Sequence, residues 1–187
     1  YNKREICPFL ELFNHESSSS PYLISKKGIS TPKFYKLQDE LTINYGNQSS
    51  LKRFLQFQFF SEEKTVFSLP FSIKNEASDN TFICIGKDIN VNELISIKKN
   101  NKNFIIDGLP IGHIENRYLS MEYFENISRK IDNFNFSKYF FEKIINFNVF
   151  IRQKIKEEIN PKDNSSCKTL KEVLEYEINL ITSNIIK

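Results

Sequence analysis

The spacing of apolar residues differs between the two ends of the chain. Short stretches rich in β-forming residues predict strands at 22–25, 41–45 and 65–73, the last interrupted by Pro70. Residues 103–110 indicate a further strand that ends in a Gly-Pro turn. Within 49–60 the apolar residues recur at helical spacing, and Ser50 is the predicted helix cap.

Helical spacing dominates after residue 88. It predicts a short helix over 88–101, one or two helices over 111–131, and long helices over 136–159 and 167–186. The first long helix carries an aromatic stripe that favours core packing, formed by Tyr139, Phe140, Phe147 and Phe150. The second carries one apolar face, formed by Leu170, Val173, Leu174, Ile178 and Ile181. The pattern predicts an α+β fold, with a β-rich first third and a mostly helical remainder.

Composition excludes several classes of function. The 187 residues fit one large or two small domains, and the 18 Phe and 8 Tyr support a sizeable core. A net charge of +3, spread along the chain, is too small to predict nucleic-acid or membrane binding. Cys7, Cys84 and Cys167 form no Cys-x-x-Cys pair, so we expect no metal site and a reducing compartment.

Two short polar motifs are candidates for chemistry. Asn14-His15 directly follows an apolar run, and Tyr45 precedes Gly46 at the end of a predicted strand. Taken alone, the first is typical of an exposed loop and the second of a turn. A tyrosine hydroxyl can nevertheless hydrogen-bond in a dry site without carrying charge at neutral pH. His113 is expected in a surface turn, with no second histidine at a metal-ligand interval.

The motifs form an ordered set with two others. "PFLELFNH" (8–15) and "QDELTINYG" (38–46) are followed by Ser49-Ser50 and by "FQF" (57–59). Together they resemble the C-terminal half of a SET domain, the protein-lysine methyltransferase fold. The resemblance is to the subgroup of the Rubisco large-subunit methyltransferase and the actin-histidine methyltransferase. It continues more loosely over 80–187, which is similar to the helical substrate-binding domain of that subgroup.

The resemblance implies a division of the chain and a set of site residues. Residues 1–74 would be the C-terminal part of the SET domain, and 75–187 the Rubisco methyltransferase-type substrate-binding domain. The cofactor would be S-adenosylmethionine (SAM), and Tyr45 would be the catalytic residue beside the transferred methyl group. The cofactor-binding residues would be Phe13, Asn14, His15 and Phe59.

The implied reaction is methyl transfer to a protein by direct displacement. A neutral lysine amine of the substrate would attack the sulfonium methyl group in a narrow channel, without a metal ion. Histidine is open as a second acceptor. We expect a monomer in the cytoplasm or nucleus that binds a protein substrate, and neither nucleic acid nor a membrane.

The chain departs from the subgroup at several motif positions. Ser50 replaces an Asn, and Gln58 replaces a Gly, which would put a side chain in a tight spot beside Phe59. The N-terminal Gly-x-Gly segment that binds the methionine end of SAM is absent, and we expect a longer parent protein to supply it before Tyr1. Two other interpretations stay open. One is a catalytically inactive SET-like protein that acts as a protein-interaction module through its helical domain, and the other is an α+β domain with chance motif matches.

Overall fold

The structure is a computed structural model that divides into two compact units, residues 1–46 and 47–187. It describes residues 14–15, 19, 23–25, 28–30, 42–43, 48–75, 80–86, 96–115, 118–130, 138–160, 162 and 164–184. Each unit is described by itself.

The described residues of the first unit form four short strands. They are β1 (Asn14–His15), β2 (Leu23–Ser25), β3 (Gly28–Ser30) and β4 (Thr42–Ile43). β2 and β3 pair in antiparallel fashion, whereas β1 and β4 pair in parallel. The strands predicted at 22–25 and 41–45 are therefore confirmed over the residues that the structure describes.

The second unit opens with helix α1 (Ser50–Phe57). The predicted helix is confirmed, but its cap is Ser49 rather than Ser50, because the Ser49 side chain accepts a hydrogen bond from the Lys52 N–H. The Ser50 hydroxyl is buried and accepts a hydrogen bond from the Glu63 N–H instead, at 3.1 Å.

In the part of the chain that the structure describes, six strands follow α1. They are β5 (Thr65–Phe67), β6 (Phe71–Asn75), β7 (Asn80–Cys84), β8 (Ser96–Asn100), β9 (Asn103–Asp107) and β10 (Pro110–His113). Four of them form a sheet in the order β6-β7-β9-β8, in which the central pair is parallel and both outer pairs are antiparallel. β5 and β10 form a separate antiparallel pair. The break at Pro70 separates β5 from β6, as predicted, because proline cannot donate to a strand ladder.

The helix predicted over 88–101 is wrong for residues 96–100, which form β8. β8 pairs with β9 across a two-residue turn at Asn101 and Lys102, and Asn101 takes a φ of 53° that asparagine tolerates better than most residues. The start of the predicted helical region 111–131 is also wrong, since 110–113 form β10. Strands therefore reach residue 113, well beyond the first third of the chain.

Over the described residues from 118 to 184, the structure has three helices: α2 (Leu119–Lys130), α3 (Lys138–Glu158) and α4 (Ser165–Ser183). The two long helices and the apolar face of α4 are confirmed, with Val173, Leu174 and Ile181 buried. Of the predicted aromatic stripe of α3, Phe147 and Phe150 are not core, because they are 40% and 55% exposed, whereas the side chains of Tyr139 and Phe140 lie outside the description. The buried face of α3 contains Phe141, Ile144, Ile145, Asn148 and Arg152.

The core of the second unit consists of two apolar clusters. The larger joins the strands to α2, α3 and α4, and the smaller joins α1 to α4 through Leu51, Phe54, Val173 and Leu174. α4 also passes close to β10, because a Cβ at Gly112 would lie 3.3 Å from the Ile181 backbone. The fold is thus α+β, as predicted. β6, which spans the boundary predicted at residue 74, pairs with β7, and the division at that residue stays a prediction.

Candidate functional site

The first unit brings two motif segments together. β1 and β4 pair in parallel, so Asn14 lies opposite Thr42 and His15 lies opposite Ile43. The Asn14 side chain is exposed, and the Ser19 and Thr42 hydroxyls are 2.6 Å apart. Segments that are 28 positions apart in sequence are therefore neighbours, and β4 is the strand that leads along the chain to the Tyr45 motif.

Two of the predicted site residues, Phe13 and Tyr45, lie outside the described residues. Phe13 immediately precedes β1, and Tyr45 follows Ile43 by two positions. Of the five predicted site residues, the structure thus places Asn14 and His15 on one strand and Phe59 in the second unit.

Phe59 follows the C-terminal end of α1. Its ring is half-buried and packs against Phe57, with ring centroids 6.1 Å apart. Gln58, between them, ends the helix with a φ of 62° and donates its backbone N–H to the Phe54 carbonyl. A left-handed residue after a helix is a position that glycine favours. The Gln58 side chain is exposed, so the steric crowding expected at this position is not observed among the described residues.

The segment from Gln58 to Glu63, here called the Phe59 loop, is held at its far end by buried polar contacts. The Glu63 carboxylate accepts from the Arg53 guanidinium, and both side chains are buried. The Glu63 carbonyl accepts from the Tyr176 hydroxyl at 2.8 Å. The Tyr176 ring also meets Phe60 edge-on at 5.8 Å. The loop therefore contacts α1 at Arg53 and α4 at Tyr176.

A second buried network centres on Glu177. Its carboxylate is fully buried and accepts from the Leu51 N–H at 2.6 Å and from Arg152 Nε at 2.8 Å. Acceptance from an N–H in the first turn of α1 compensates the positive end of the helix dipole. Arg152, also fully buried, donates further to the Phe67 carbonyl at 3.1 Å and to Asn148 Oδ1 at 2.8 Å. The network thus joins α1, α3, α4 and the end of β5.

The Glu177 network was missed by the sequence reasoning. Its signal is present in the spacing of α3, where Asn148 and Arg152 continue the buried face begun by Phe141, Ile144 and Ile145. A charged residue on an apolar helical face requires a buried partner. That partner is Glu177, on the apolar face of α4.

An apolar groove lies beside this network. It has a volume of about 230 Å³ and is lined by residues of α1, of the turn after β5 and of the end of β7. Leu55 and Ile85 are exposed at its edge, at 61% and 56%. The backbone of Leu69, in the wall of the groove, is held by a hydrogen bond that its N–H donates to Asn148 Oδ1 at 2.8 Å. The groove has room for an apolar side chain between walls that a buried network holds in place.

Burial shifts the pKa of three groups. It raises the pKa of Tyr176 to about 12, and the neighbouring carboxylates Glu62 and Glu63 add to the shift, so the hydroxyl stays a hydrogen-bond donor at neutral pH. Burial also raises the pKa of the Cys84 thiol above its ordinary value. It lowers the pKa of His113, although the carboxylate of Glu115 opposes that shift.

The described residues contain no group of three or more side chains suited to bind a metal ion. None of the helices built from them is long and apolar enough to cross a bilayer. Comparison with models of known protein families, with curated proteins and with solved structures finds no match to this chain.

Proposed function

We propose that the chain is part of a SAM-dependent protein N-methyltransferase that acts on lysine. The observation that carries the proposal is the parallel pairing of β1 with β4. A chance occurrence of the two motifs does not require them to be neighbours, whereas a shared cofactor site does. The pairing aligns the Asn-His segment with the strand that leads to Tyr45.

The proposal assigns a role to each candidate residue. Asn14 and His15 contact the adenosyl part of the cofactor through polar groups, and the exposed Asn14 side chain is accessible for such a contact. Phe13 and Phe59 supply aromatic surface for the adenine ring. Tyr45 orients the substrate amine by a hydrogen bond and does not need to act as a strong base.

The cofactor, when bound, supplies an activated methyl group on a sulfonium. A substrate lysine that has lost its proton to solvent would take up this methyl group, with S-adenosylhomocysteine as the leaving group, while Phe13, Asn14, His15 and Phe59 would hold the adenosyl part. The residues of the chain contribute mainly orientation, since attacking nitrogen, carbon and sulfur must be collinear.

The proposal extends to the partner and the compartment. The substrate is a protein with a lysine acceptor, histidine being the second candidate, and the enzyme acts as a monomer in the cytoplasm or nucleus. Mass spectrometry of methylated protein identifies the acceptor residue and separates lysine from histidine.

The test uses the full-length parent protein and transfer of a labelled methyl group from SAM to protein. Tyr45→Phe should lower the rate by about tenfold or more, because the substrate amine loses the hydrogen bond that orients it. Tyr118→Phe, at an exposed position of the second unit, should leave the rate unchanged and serves as the matched control.

Two results would count against the proposal. A normal rate in Tyr45→Phe removes this tyrosine from the mechanism. Failure of the intact parent to bind SAM in calorimetry rejects the enzyme and favours the non-catalytic interaction module.

A further inference from the structure

The C-terminal helix contacts both ends of the segment that carries Phe59. Tyr176 and Glu177 are consecutive residues of α4, yet they bond to points on opposite sides of Phe59. Glu177 accepts from the N–H of Leu51, which precedes Phe59 in the sequence. Tyr176 donates to the carbonyl of Glu63, which follows Phe59. The two anchor points are 12 positions apart in sequence and 126 and 113 positions from their α4 partners.

The anchor before Phe59 acts through a rigid element. Leu51 lies in the first turn of α1, and the eight residues of α1 end at Phe57, two positions before Phe59. The Leu51 side chain is buried against α4 in the same apolar cluster as Val173 and Leu174. Apolar packing alone would let α1 slide along α4. The hydrogen bond from the Leu51 N–H to the Glu177 carboxylate is directional, so it also fixes the position of α1 along α4.

The anchor after Phe59 acts on the loop itself. The Glu63 residue accepts at its carbonyl from Tyr176, donates its N–H to the Ser50 hydroxyl and pairs its carboxylate with Arg53. Phe60, the residue next to Phe59, packs edge-on against the Tyr176 ring. Tyr176 therefore contacts the Phe59 loop at two points, one apolar and one polar.

We propose that Tyr176 and Glu177 are positioning residues for Phe59, through which the C-terminal helix sets the affinity of the methyltransferase for its cofactor. The inference rests on the proposed function, in which Phe59 supplies aromatic surface for adenine. Holding the loop in its binding conformation before the cofactor arrives removes an ordering cost from binding. The tyrosine hydroxyl stays protonated and able to donate throughout the physiological pH range.

The test removes one hydrogen bond and keeps the ring. In the full-length parent, Tyr176→Phe loses the bond to the Glu63 carbonyl and retains the contact with Phe60. The dissociation constant of S-adenosylhomocysteine, measured by calorimetry, should rise about fivefold, the scale of one lost hydrogen bond. The KM for SAM should rise with it, while kcat at saturating SAM stays unchanged. Tyr123→Phe, the same change at a half-buried tyrosine of α2, is the matched control.

A merely structural role predicts a different result. If Tyr176 only stabilised the fold, the variant would unfold at a lower temperature but bind S-adenosylhomocysteine as tightly as the wild type well below that temperature. Hydrogen exchange separates the two cases, since the inference expects faster exchange of the amides of residues 58–62 and unchanged exchange in α2. Phe60→Leu, which weakens the other contact with Tyr176, should weaken binding in the same way and is the second variant if Tyr176→Phe folds poorly.

The outcomes distinguish failure of the inference from failure of the proposed function. A wild-type parent that does not bind S-adenosylhomocysteine rejects the proposed function and the inference with it. A wild type that binds, together with Tyr176→Phe and Phe60→Leu variants that bind equally tightly, rejects the inference alone.

Discussion

At the scale of single residues, Gln58 shows how the structure changes the meaning of a motif departure. Its φ of 62° is a conformation that costs a residue with a Cβ about 1–2 kcal/mol. We expect Gln58→Gly to raise the free energy of unfolding by about 1 kcal/mol, since strain is relieved and part of the gain is lost to the greater freedom of glycine in the unfolded chain. Urea unfolding followed by circular dichroism measures the change.

The matched control is Gln153→Gly, the same change at an exposed position within α3. There the backbone is helical, and glycine should lower the free energy of unfolding by about 1 kcal/mol. Destabilisation by both substitutions would show that the left-handed conformation of Gln58 carries no strain.

His113 offers a test of local electrostatics. Its ring Nδ1 accepts a hydrogen bond from the Glu115 N–H at 3.2 Å, which requires an unprotonated nitrogen, and burial lowers its pKa below the ordinary value. The unfolded state therefore binds more protons at mildly acidic pH. The stability that this shift contributes is present above the unfolded pKa of about 6.5 and is lost as the pH falls through the lower folded pKa.

An NMR titration of the imidazole C–H signals measures this pKa. The chain has two histidines, and His113→Gln assigns the signals by removing one of them. A folded pKa above about 6.5 would contradict the expected direction.

At the scale of elements, the pairing of α3 with α4 rests on a buried ion pair as well as on apolar contacts. Arg152 and Glu177 are both fully buried, at 2.8 Å. Glu177→Ala should lower the free energy of unfolding by about 3–5 kcal/mol, because it leaves the Arg152 guanidinium buried without its carboxylate.

The control for this prediction lies on α3 itself. Glu157→Ala removes the partner of Lys154 in an exposed pair that also has a 2.8 Å separation, and it should change stability little. Equal effects of the two substitutions in urea unfolding would show that burial does not set the strength of the Arg152–Glu177 pair.

The same scale shows which elements the sequence could predict. α4 was predictable because its apolar face repeats over many turns and is buried as a stripe. The strand β8 was not, because "SIKKN" has too few apolar residues to show a period, and its conformation depends on pairing with β9. The burial of Arg152 in α3 was not predictable, because its charge is compensated by a partner 25 positions away, whereas Phe147 and Phe150, which aromatic character favours as core, are exposed.

At the scale of the whole molecule, the candidate site was predictable only as far as local patterns in the sequence define it. The strand at 41–45 was predicted and contains β4, whereas Asn14-His15, which alone is typical of a loop, forms β1, and the pairing of the two is visible only in three dimensions. The contacts of α4 with Leu51 and Glu63 could not be predicted, since each joins residues more than 100 positions apart and no local pattern specifies the partner.

The division into units gives a final prediction. Both apolar clusters of described residues lie within 47–187, together with the Arg53–Glu63 and Arg152–Glu177 pairs. A fragment of residues 47–187 should therefore fold by itself, with a cooperative urea transition and dispersed NMR signals. The fragment 75–187, which starts at the boundary predicted from the sequence, is the comparison.

The shorter fragment lacks α1 and β5, which removes Leu51 and Phe54 from the smaller cluster and leaves β10 without β5. It also removes the Leu51 N–H and the Phe67 carbonyl, so that Glu177 and Arg152 each lose a buried hydrogen-bond partner. Leaving buried charged groups partly unsatisfied is costly, and we expect fragment 75–187 to lack a cooperative transition. If instead 75–187 folds as cooperatively as 47–187, residues 75–187 form an independent unit, as the sequence predicts, and α1 is not needed for its folding.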